Sequence, residues 1–347
     1  MIMSNDQSTE HRVSLLNKYD RPFHVILSQQ FERTHIDELC NLSDMMRSIA
    51  ETKKGLEFLQ SMLRHKRAMI YFTQPSTRTF LSFVSACQIL GIPYIDVRDP
   101  QVSSEVKGET EEDTVKVLSQ YFDLIVMRHP GDGFAEQMAS EMQFSIPIIN
   151  GGSGKDQHPT QALLDIYTLK RSFNNGLENR EITFVGDLKR GRTVRSLVYL
   201  LCKYKNLHIN FVSPPQLGME ADILDYLKRY NVSFKEYTMF SGEVIKSSDA
   251  IYMTRLQDEH DKKGESLAVD YSSYALTIKH QHLFKPSLII MHPLPRRKEL
   301  DKALDSTQYA KYWDQVKNGM WMRSAIIAYV FHADSNIINY YHDTYLK

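Results

Sequence analysis

Short apolar runs recur along the chain, each ending abruptly in polar, turn-rich residues. The first four are Ala68-Met69-Ile70-Tyr71-Phe72, Tyr94-Ile95-Asp96-Val97, Leu124-Ile125-Val126-Met127 and Ile146-Pro147-Ile148-Ile149. A second four lie at Ile182–Val185, His208–Val212, Ala250–Met253 and Leu288–Met291. Between them, Arg78–Leu90, Glu112–Tyr121, Thr160–Arg171 and Thr193–Tyr204 space apolar residues as amphipathic helices do. Phe31–Leu63 also reads as helical, with Leu39, Leu42, Met45, Met46 and Ile49 at helical spacing. Short buried strands alternating with helices imply parallel sheets of α/β type. Four strands precede Gln157 and four follow it, so two similar-sized α/β domains are predicted, each a parallel sheet flanked by helices. Gly319 to about Tyr341 reads as a closing amphipathic helix, with Trp321, Ala325, Ile326, Tyr329 and Val330 on its apolar side. The first 20 residues are polar and are expected to be loose.

Composition narrows the function more than the fold. The 347 residues suit two domains of about 150 each. Lys and Arg number 42 against 42 Asp and Glu, so the basic excess of a nucleic-acid or polybasic membrane surface is missing. Cys40, Cys87 and Cys202 are odd in number and widely spaced, which fits neither a disulfide framework nor a metal site and favours a reduced compartment. The longest apolar run, Ala325–Phe331, is far short of the roughly 18 residues of a membrane span, and the N-terminus has no apolar signal core. A cytoplasmic protein is expected, with neither membrane nor nucleic acid as partner.

Ligands of open α/β sheets bind outside the carboxyl ends of the strands. The first run leads into Gln74-Pro75-Ser76-Thr77-Arg78-Thr79, where hydroxyls and a guanidinium at a helix N-terminus suit an oxyanion such as phosphate. The same residues also fit an ordinary Ser/Thr cap beside a surface arginine. The third run ends in Arg128-His129-Pro130, which equally fits a buried histidine and a salt-bridged arginine. The fourth leads through Asn150-Gly151-Gly152-Ser153-Gly154 to Gln157-His158-Pro159-Thr160-Gln161, a site loop or a glycine-rich connector with a cap. In the second half, Gly186-Asp187-Leu188-Lys189-Arg190-Gly191-Arg192-Thr193, Thr254-Arg255-Leu256-Gln257 and His292-Pro293-Leu294-Pro295-Arg296 follow strands in the same way. Arg78, Arg128, Arg192, Arg255 and Arg296 thus stand at five strand ends, and five arginines converging on one cleft would bind small polyanions.

The ordered set PSTRT, MRHP, QHPTQ, GDLKxGRT, TRxQ and HPLPR resembles the catalytic chains of the aspartate carbamoyltransferase family, within the aspartate/ornithine carbamoyltransferase superfamily. The resemblance runs from about Pro22 to about Asp334. It implies a carbamoyl-phosphate-binding domain at 1–158, to which a C-terminal helix in 319–347 returns, and an aspartate-binding domain at 159–318. By that analogy Ser76, Thr77, Arg78 and Thr79 hold the phosphate. Thr79, Arg128 and His158 surround the carbamoyl oxygen, and Gln161 holds the carbamoyl nitrogen. Arg192, Arg255 and Gln257 bind the carboxylates of aspartate, and the backbone around Pro293 and Leu294 contacts the carbamoyl NH2 and the incoming amine. Ser103 and Lys107 match the family's serine and lysine that complete a neighbouring subunit's site, so a homotrimer with shared sites is implied. The family admits regulatory chains around such a trimer, and no cofactor or metal is implied.

Some positions depart from the family pattern. Gln74 and His260 replace a Glu and an Arg that pair across the two domains on closure. Phe80 and Val84 replace an Arg and a Glu four residues apart on one helix, so an ion pair gives way to an apolar contact. Arg190 stands where a tyrosine is common. These changes leave open a different amino-acid acceptor, or a non-catalytic paralogue that binds anions. Retention of the residues assigned to carbamoyl phosphate and to aspartate favours carbamoyl transfer to aspartate.

Overall fold

The computed structural model describes residues 5–99, 108–143, 145–154, 157–174, 176–256 and 270–346. The chain divides into two compact units, one of residues 1–164 and 318–347, the other of residues 165–317.

The first unit opens with α1 (Asn5–Leu16), the two-residue antiparallel strands β1 (Asn17–Lys18) and β2 (Arg21–Pro22), α2 (Arg33–Ile49) and α3 (Lys53–Ser61). It continues with β3 (Ala68–Phe72), α4 (Thr77–Ile89), β4 (Tyr94–Val97), α5 (Glu111–Tyr121), β5 (Leu124–Arg128), α6 (Phe134–Met142), β6 (Ile148–Asn150) and the start of α7 (Pro159–Ser172). The sheet order is β4-β3-β5-β6, and every pairing is parallel. Strands β3 and β5 are buried at every position, as apolar runs covered on both faces must be. From Asn5 on, the N-terminal residues are not loose as their polarity suggested. Leu16 at the end of α1 joins the core with Met69, Tyr71, Ile125 and Met127, and Arg12 grips both carboxylate oxygens of Glu136 at 2.6 Å.

The second unit contains β7 (Glu181–Val185), α8 (Arg192–Leu201), β8 (His208–Val212), α9 (Ala221–Arg229), β9 (Ser233–Tyr237), α10 (Gly242–Ser247), β10 (Ala250–Met253) and β11 (Ile289–Met291). Its order is β11-β10-β7-β8-β9, again parallel throughout. The fifth strand, β9, escaped the apolar-run criterion because Ser233-Phe234-Lys235-Glu236-Tyr237 is a polar, largely exposed edge. The chain returns to the first unit through α11 (Tyr312–Val330), followed by α12 (Asp334–Tyr345). The closing segment is therefore two helices, parted where His332 takes a positive φ of 56°. Residues 321–330 are buried on every side of α11, so its apolar pattern is that of a core helix and not of an amphipathic one. Arg21 fastens the junction, donating to the Tyr329 carbonyl and the Asp334 carboxylate at 2.8 Å each while lying 3.5 Å over the Tyr329 ring.

Each sheet reverses its winding beside its first strand. In the first unit β3 leads to β4 on one side, and β5 then returns to the other; in the second, β7 leads to β8 and β9 before β10 returns. The carboxyl ends of β3 and β5, and of β7 and β10, therefore flank the crevices where open α/β sheets bind ligands.

His24 illustrates how this backbone is held. Its Nδ1 accepts the Ile148 N–H at 3.1 Å, so its proton is on Nε2, which faces the Gln143 carbonyl. Burial lowers its pKa to about 4, against an ordinary 6.5. The unfolded chain thus binds this proton more readily, and the stabilising contribution, complete above pH 6.5, is lost as pH falls toward 4. Wild-type protein should lose roughly 2 kcal/mol from this group between pH 7 and pH 5. Urea denaturation at both pH values should show that loss, and His24→Asn should flatten it.

Candidate active site

At the first crevice, Ser76 is the N-cap of α4 in extended backbone, and its side chain makes no capping bond. Ser76 is partly buried, Thr77 and Arg78 are exposed on the first turn, and Thr79 is buried beneath them. The helix N-terminus and the Arg78 guanidinium thus present positive potential to the same crevice. Beside it, the Gln74 N–H donates to the carbonyl of Arg128, the last residue of β5 (3.1 Å). The Gln74 side-chain oxygen and the Thr73 hydroxyl are buried with no hydrogen-bond partner among the described residues.

Arg128 and His158 are both buried, and Arg128 Nη1 donates to the Gly151 carbonyl at 3.0 Å. Gly152 stands between the two, with φ of 93°. A Cβ there would lie 2.7 Å from Arg128 Nη1 and 2.9 Å from His158 Nε2, so only glycine leaves these two groups facing one small space. Asn150 fixes the turn: its Oδ1 accepts the N–H groups of Gly152 and Ser153 at 2.8 Å each, and its Nδ2 donates to the Gln157 carbonyl at 3.1 Å. His158 immediately precedes α7, its carbonyl accepting the N–H groups of Gln161 and Ala162. Gln161, one turn further, is partly exposed.

His129 takes the other role that its sequence context allowed. Its Nδ1 accepts from Gly131 N–H, so its Nε2 donates to Glu111 at 3.0 Å, and its own N–H reaches Ser153 Oγ. It is a buried support for the loop. Phe80 is buried edge-on to Phe72, and the Arg98 guanidinium lies 4.5 Å over its ring. The apolar substitution at position 80 is thus accompanied by a cation from the end of β4.

At the second crevice, Arg192 is the first residue of α8 and Arg255 follows β10; both are partly exposed. Arg255 Nη1 donates to the Leu256 carbonyl at 2.9 Å. Thr254 sews the two strand ends together, its N–H and hydroxyl both donating to the Val185 carbonyl (2.8 and 3.0 Å). Two further arginines are locally compensated. Arg190 pairs with buried Asp187 at 3.4 Å, and Arg296 grips Asp305 through both guanidinium nitrogens beside Tyr312 and Trp313.

The turn after β11, which holds two prolines, has an unusual backbone. The Leu294-Pro295 peptide is cis, and Leu294 has a φ of 56°. Buried His292 holds it, accepting the Leu294 N–H on Nδ1 (2.7 Å) and donating from Nε2 to Glu299 (2.9 Å). Burial would raise the Glu299 pKa, but hydrogen bonds from His292 and the Arg297 N–H outweigh it and hold the carboxyl below its ordinary range. Behind this turn, Gln315 accepts the His292 N–H and donates to Asp165, whose other oxygen receives the Tyr252 hydroxyl. Ser103, Lys107, Gln257 and His260 lie outside the described residues.

Two family models match in tandem. Residues 24–171 match the carbamoyl-P binding domain of aspartate/ornithine carbamoyltransferase, and residues 178–330 match its Asp/Orn binding domain. The chain belongs to the aspartate/ornithine carbamoyltransferase family. A Picrophilus torridus aspartate carbamoyltransferase catalytic subunit is 41% identical over 285 residues, 82% of this chain and 90% of that one. The catalytic subunit of Methanocaldococcus jannaschii aspartate transcarbamoylase superposes with a TM-score of 0.80 at 38% identity, covering 90% of this chain and 99% of that one. Trypanosoma cruzi aspartate transcarbamoylase, solved with N-(phosphonacetyl)-L-aspartic acid, gives 0.81 at 32% identity, covering 91% and 96%.

Among the carbamoyltransferase motif residues, the fold gathers Ser76, Thr77, Arg78, Thr79, Arg128, His158 and Gln161 around the first crevice, and Arg192 and Arg255 at the second. Sequence reasoning assigned no role to Asn150, although an Asn before two glycines is a recognisable turn signal. It also passed over Gln315 and Arg323, which carry no motif. Asn150→Ala would orphan two buried N–H groups and is expected to cost roughly 2–4 kcal/mol in urea unfolding.

Proposed function

We propose that the protein transfers the carbamoyl group of carbamoyl phosphate to the amine of L-aspartate, yielding N-carbamoyl-L-aspartate and phosphate for pyrimidine biosynthesis. The observation that carries this reading is the Arg128–His158 pair facing one space over Gly152, beside a phosphate-suited helix N-terminus. Ser76, Thr77, Arg78 and Thr79 bind the phosphate. Thr79, Arg128 and His158 donate to the carbamoyl oxygen, and Gln161 holds the carbamoyl nitrogen. Arg192, Arg255 and Gln257 bind the aspartate carboxylates, and the turn at Pro293 and Leu294 accepts from the carbamoyl NH2 and the amine.

The aspartate amine attacks the carbamoyl carbon, a C–N bond forms, and negative charge gathers on the carbonyl oxygen. Preorganised donors stabilise that charge because they need no reorientation as it develops. The bond from carbon to the phosphate oxygen then breaks, and the departing phosphate takes the amine proton. His158 acts as a hydrogen-bond donor. Two anions held in reactive geometry repel, and the site cations offset that repulsion.

The first unit serves as the carbamoyl-phosphate-binding domain and the second as the aspartate-binding domain. The working form is a cytoplasmic homotrimer in which Ser103 and Lys107 complete a neighbour's site. Support comes from the large apolar residues Leu81, Ile95, Val117 and Tyr121, exposed on α4, the edge strand β4 and α5, which flank the segment carrying Ser103 and Lys107. Cys40, Cys87 and Cys202 are buried thiols outside any disulfide, which fits a reduced compartment.

Phosphate release, followed with carbamoyl phosphate and a panel of amino acids, should require aspartate. Release only with another acceptor would reassign the second substrate, and none with any acceptor would point to an anion-binding paralogue. His158→Ala should lower turnover about 100-fold, the size of one oxyanion donor, with an unchanged melting curve. Unchanged turnover would remove His158 from that role.

A further inference from the structure

Tyr271 lies just beyond the undescribed stretch 257–269, on a single 3₁₀ turn, Tyr271–Tyr274, capped by Asp270 through the Ser272 N–H at 3.0 Å. The turn carries two tyrosines whose hydroxyls both donate to backbone carbonyls at the carboxyl edge of the second sheet. Tyr274 reaches the Thr238 carbonyl, just past β9, at 2.5 Å. Tyr271 reaches the Thr254 carbonyl, just past β10, at 3.2 Å. The two hydroxyls differ in what surrounds them. The Thr238 carbonyl is at the outer edge of the sheet, whereas Thr254 directly precedes Arg255.

Tyr271 also touches the loop that leads to Arg192. A Cβ on Gly186, which has a φ of 124°, would lie 2.5 Å from the Tyr271 hydroxyl and 2.4 Å from the Thr254 carbonyl oxygen. The absent side chain therefore leaves the space that the hydroxyl fills. Burial, with the negative charges of Asp187 and Glu299 nearby, raises the Tyr271 pKa, so the group remains a neutral donor at working pH.

We propose that the Tyr271 hydroxyl is a positioning residue for the amino-acid acceptor, clamping the Gly186–Arg192 loop to the Thr254–Arg255 loop so that the two guanidiniums stand at the spacing of the acceptor's carboxylates. The inference rests on the assignment of Arg192 and Arg255 to those carboxylates. Its physical basis is the sensitivity of a two-point ionic grip to spacing. Each arginine is on its own loop; at the strand ends these loops are joined through Thr254 and Val185, and the Tyr271 hydroxyl adds a tie further along them. The tie acts on the acceptor, because the phosphate and the carbamoyl oxygen are assigned to residues of the first unit, and the Pro293–Leu294 turn assigned to the carbamoyl NH2 follows another strand, β11.

Tyr271→Phe deletes only the hydroxyl. With wild-type turnover first measured on aspartate, the variant should show a roughly tenfold higher KM for aspartate, the size of one lost hydrogen bond. Its KM for carbamoyl phosphate should be unchanged, and its kcat should stay within about twofold. Tyr274→Phe removes the sister bond of the same turn and should leave both KM values unchanged. An unchanged aspartate KM in Tyr271→Phe would overturn the clamp while leaving the assignment of the site intact. Equal shifts in both variants, or a shift in both KM values, would reduce Tyr271 to general support of the turn and overturn it as well. Absence of wild-type turnover with aspartate would remove the assignment and the clamp together.

Discussion

Each half of this chain winds its sheet outward from a first strand and then returns to that strand's other side, and this reversal constrains everything near the chemistry. Helices leave the two central strands toward opposite faces, so the carboxyl ends of β3 and β5, and of β7 and β10, have a gap above them that no connection fills. Polar loops can enter only there. The backbone hydrogen bond from Gln74 to Arg128, and the two hydrogen bonds that Thr254 donates to the Val185 carbonyl, show how closely the two loops of each gap are held. Side chains placed at these strand ends inherit the rigidity of the sheet, which a preorganised electrostatic site requires.

That constraint also explains why glycines occupy the narrowest points. Gly152 lies between Arg128 and His158, and Gly186 lies against Thr254 and Tyr271; both have positive φ. In each case a missing side chain is the room in which functional or supporting polar groups meet. The neutral total charge takes on a different meaning here. Arg190 and Arg296 are compensated by Asp187 and Asp305, so cations at strand ends divide into those spent on structure and those presented at the crevices.

The apolar runs revealed eight of the nine strands of the two parallel sheets, seven because they are largely buried and the edge strand β4 through its Tyr, Ile and Val, whereas the edge strand β9 is too polar to form such a run. Motifs at strand ends were legible for a similar reason: they are contiguous, and the fold rule says where to look. The second tier was not. Gln315 and Tyr271 act through hydrogen bonds to groups that are remote in sequence or lie in another loop, and no local spacing encodes such partners. Nor could periodicity show that residues 321–330 of α11 are buried all round, since their neighbours are set by tertiary packing.

Arg323 shows what that burial achieves. It sits inside the first unit on α11, donating to Ser82 of α4 at 2.8 Å and reaching Thr160 of α7 at 3.5 Å, with Phe83 beneath its guanidinium at 5.1 Å. Helix α4 presents the phosphate-suited N-terminus, and α7 begins just after His158. One buried side chain from the end of the chain thus spans the two helices whose starts define the first crevice. A guanidinium suits this task better than an apolar residue, because its planar fork can donate in two directions while its face packs on an aromatic ring. The return of the C-terminal helices to the first unit is therefore part of how the site is held, since without α11 both helix starts would lose their common tie.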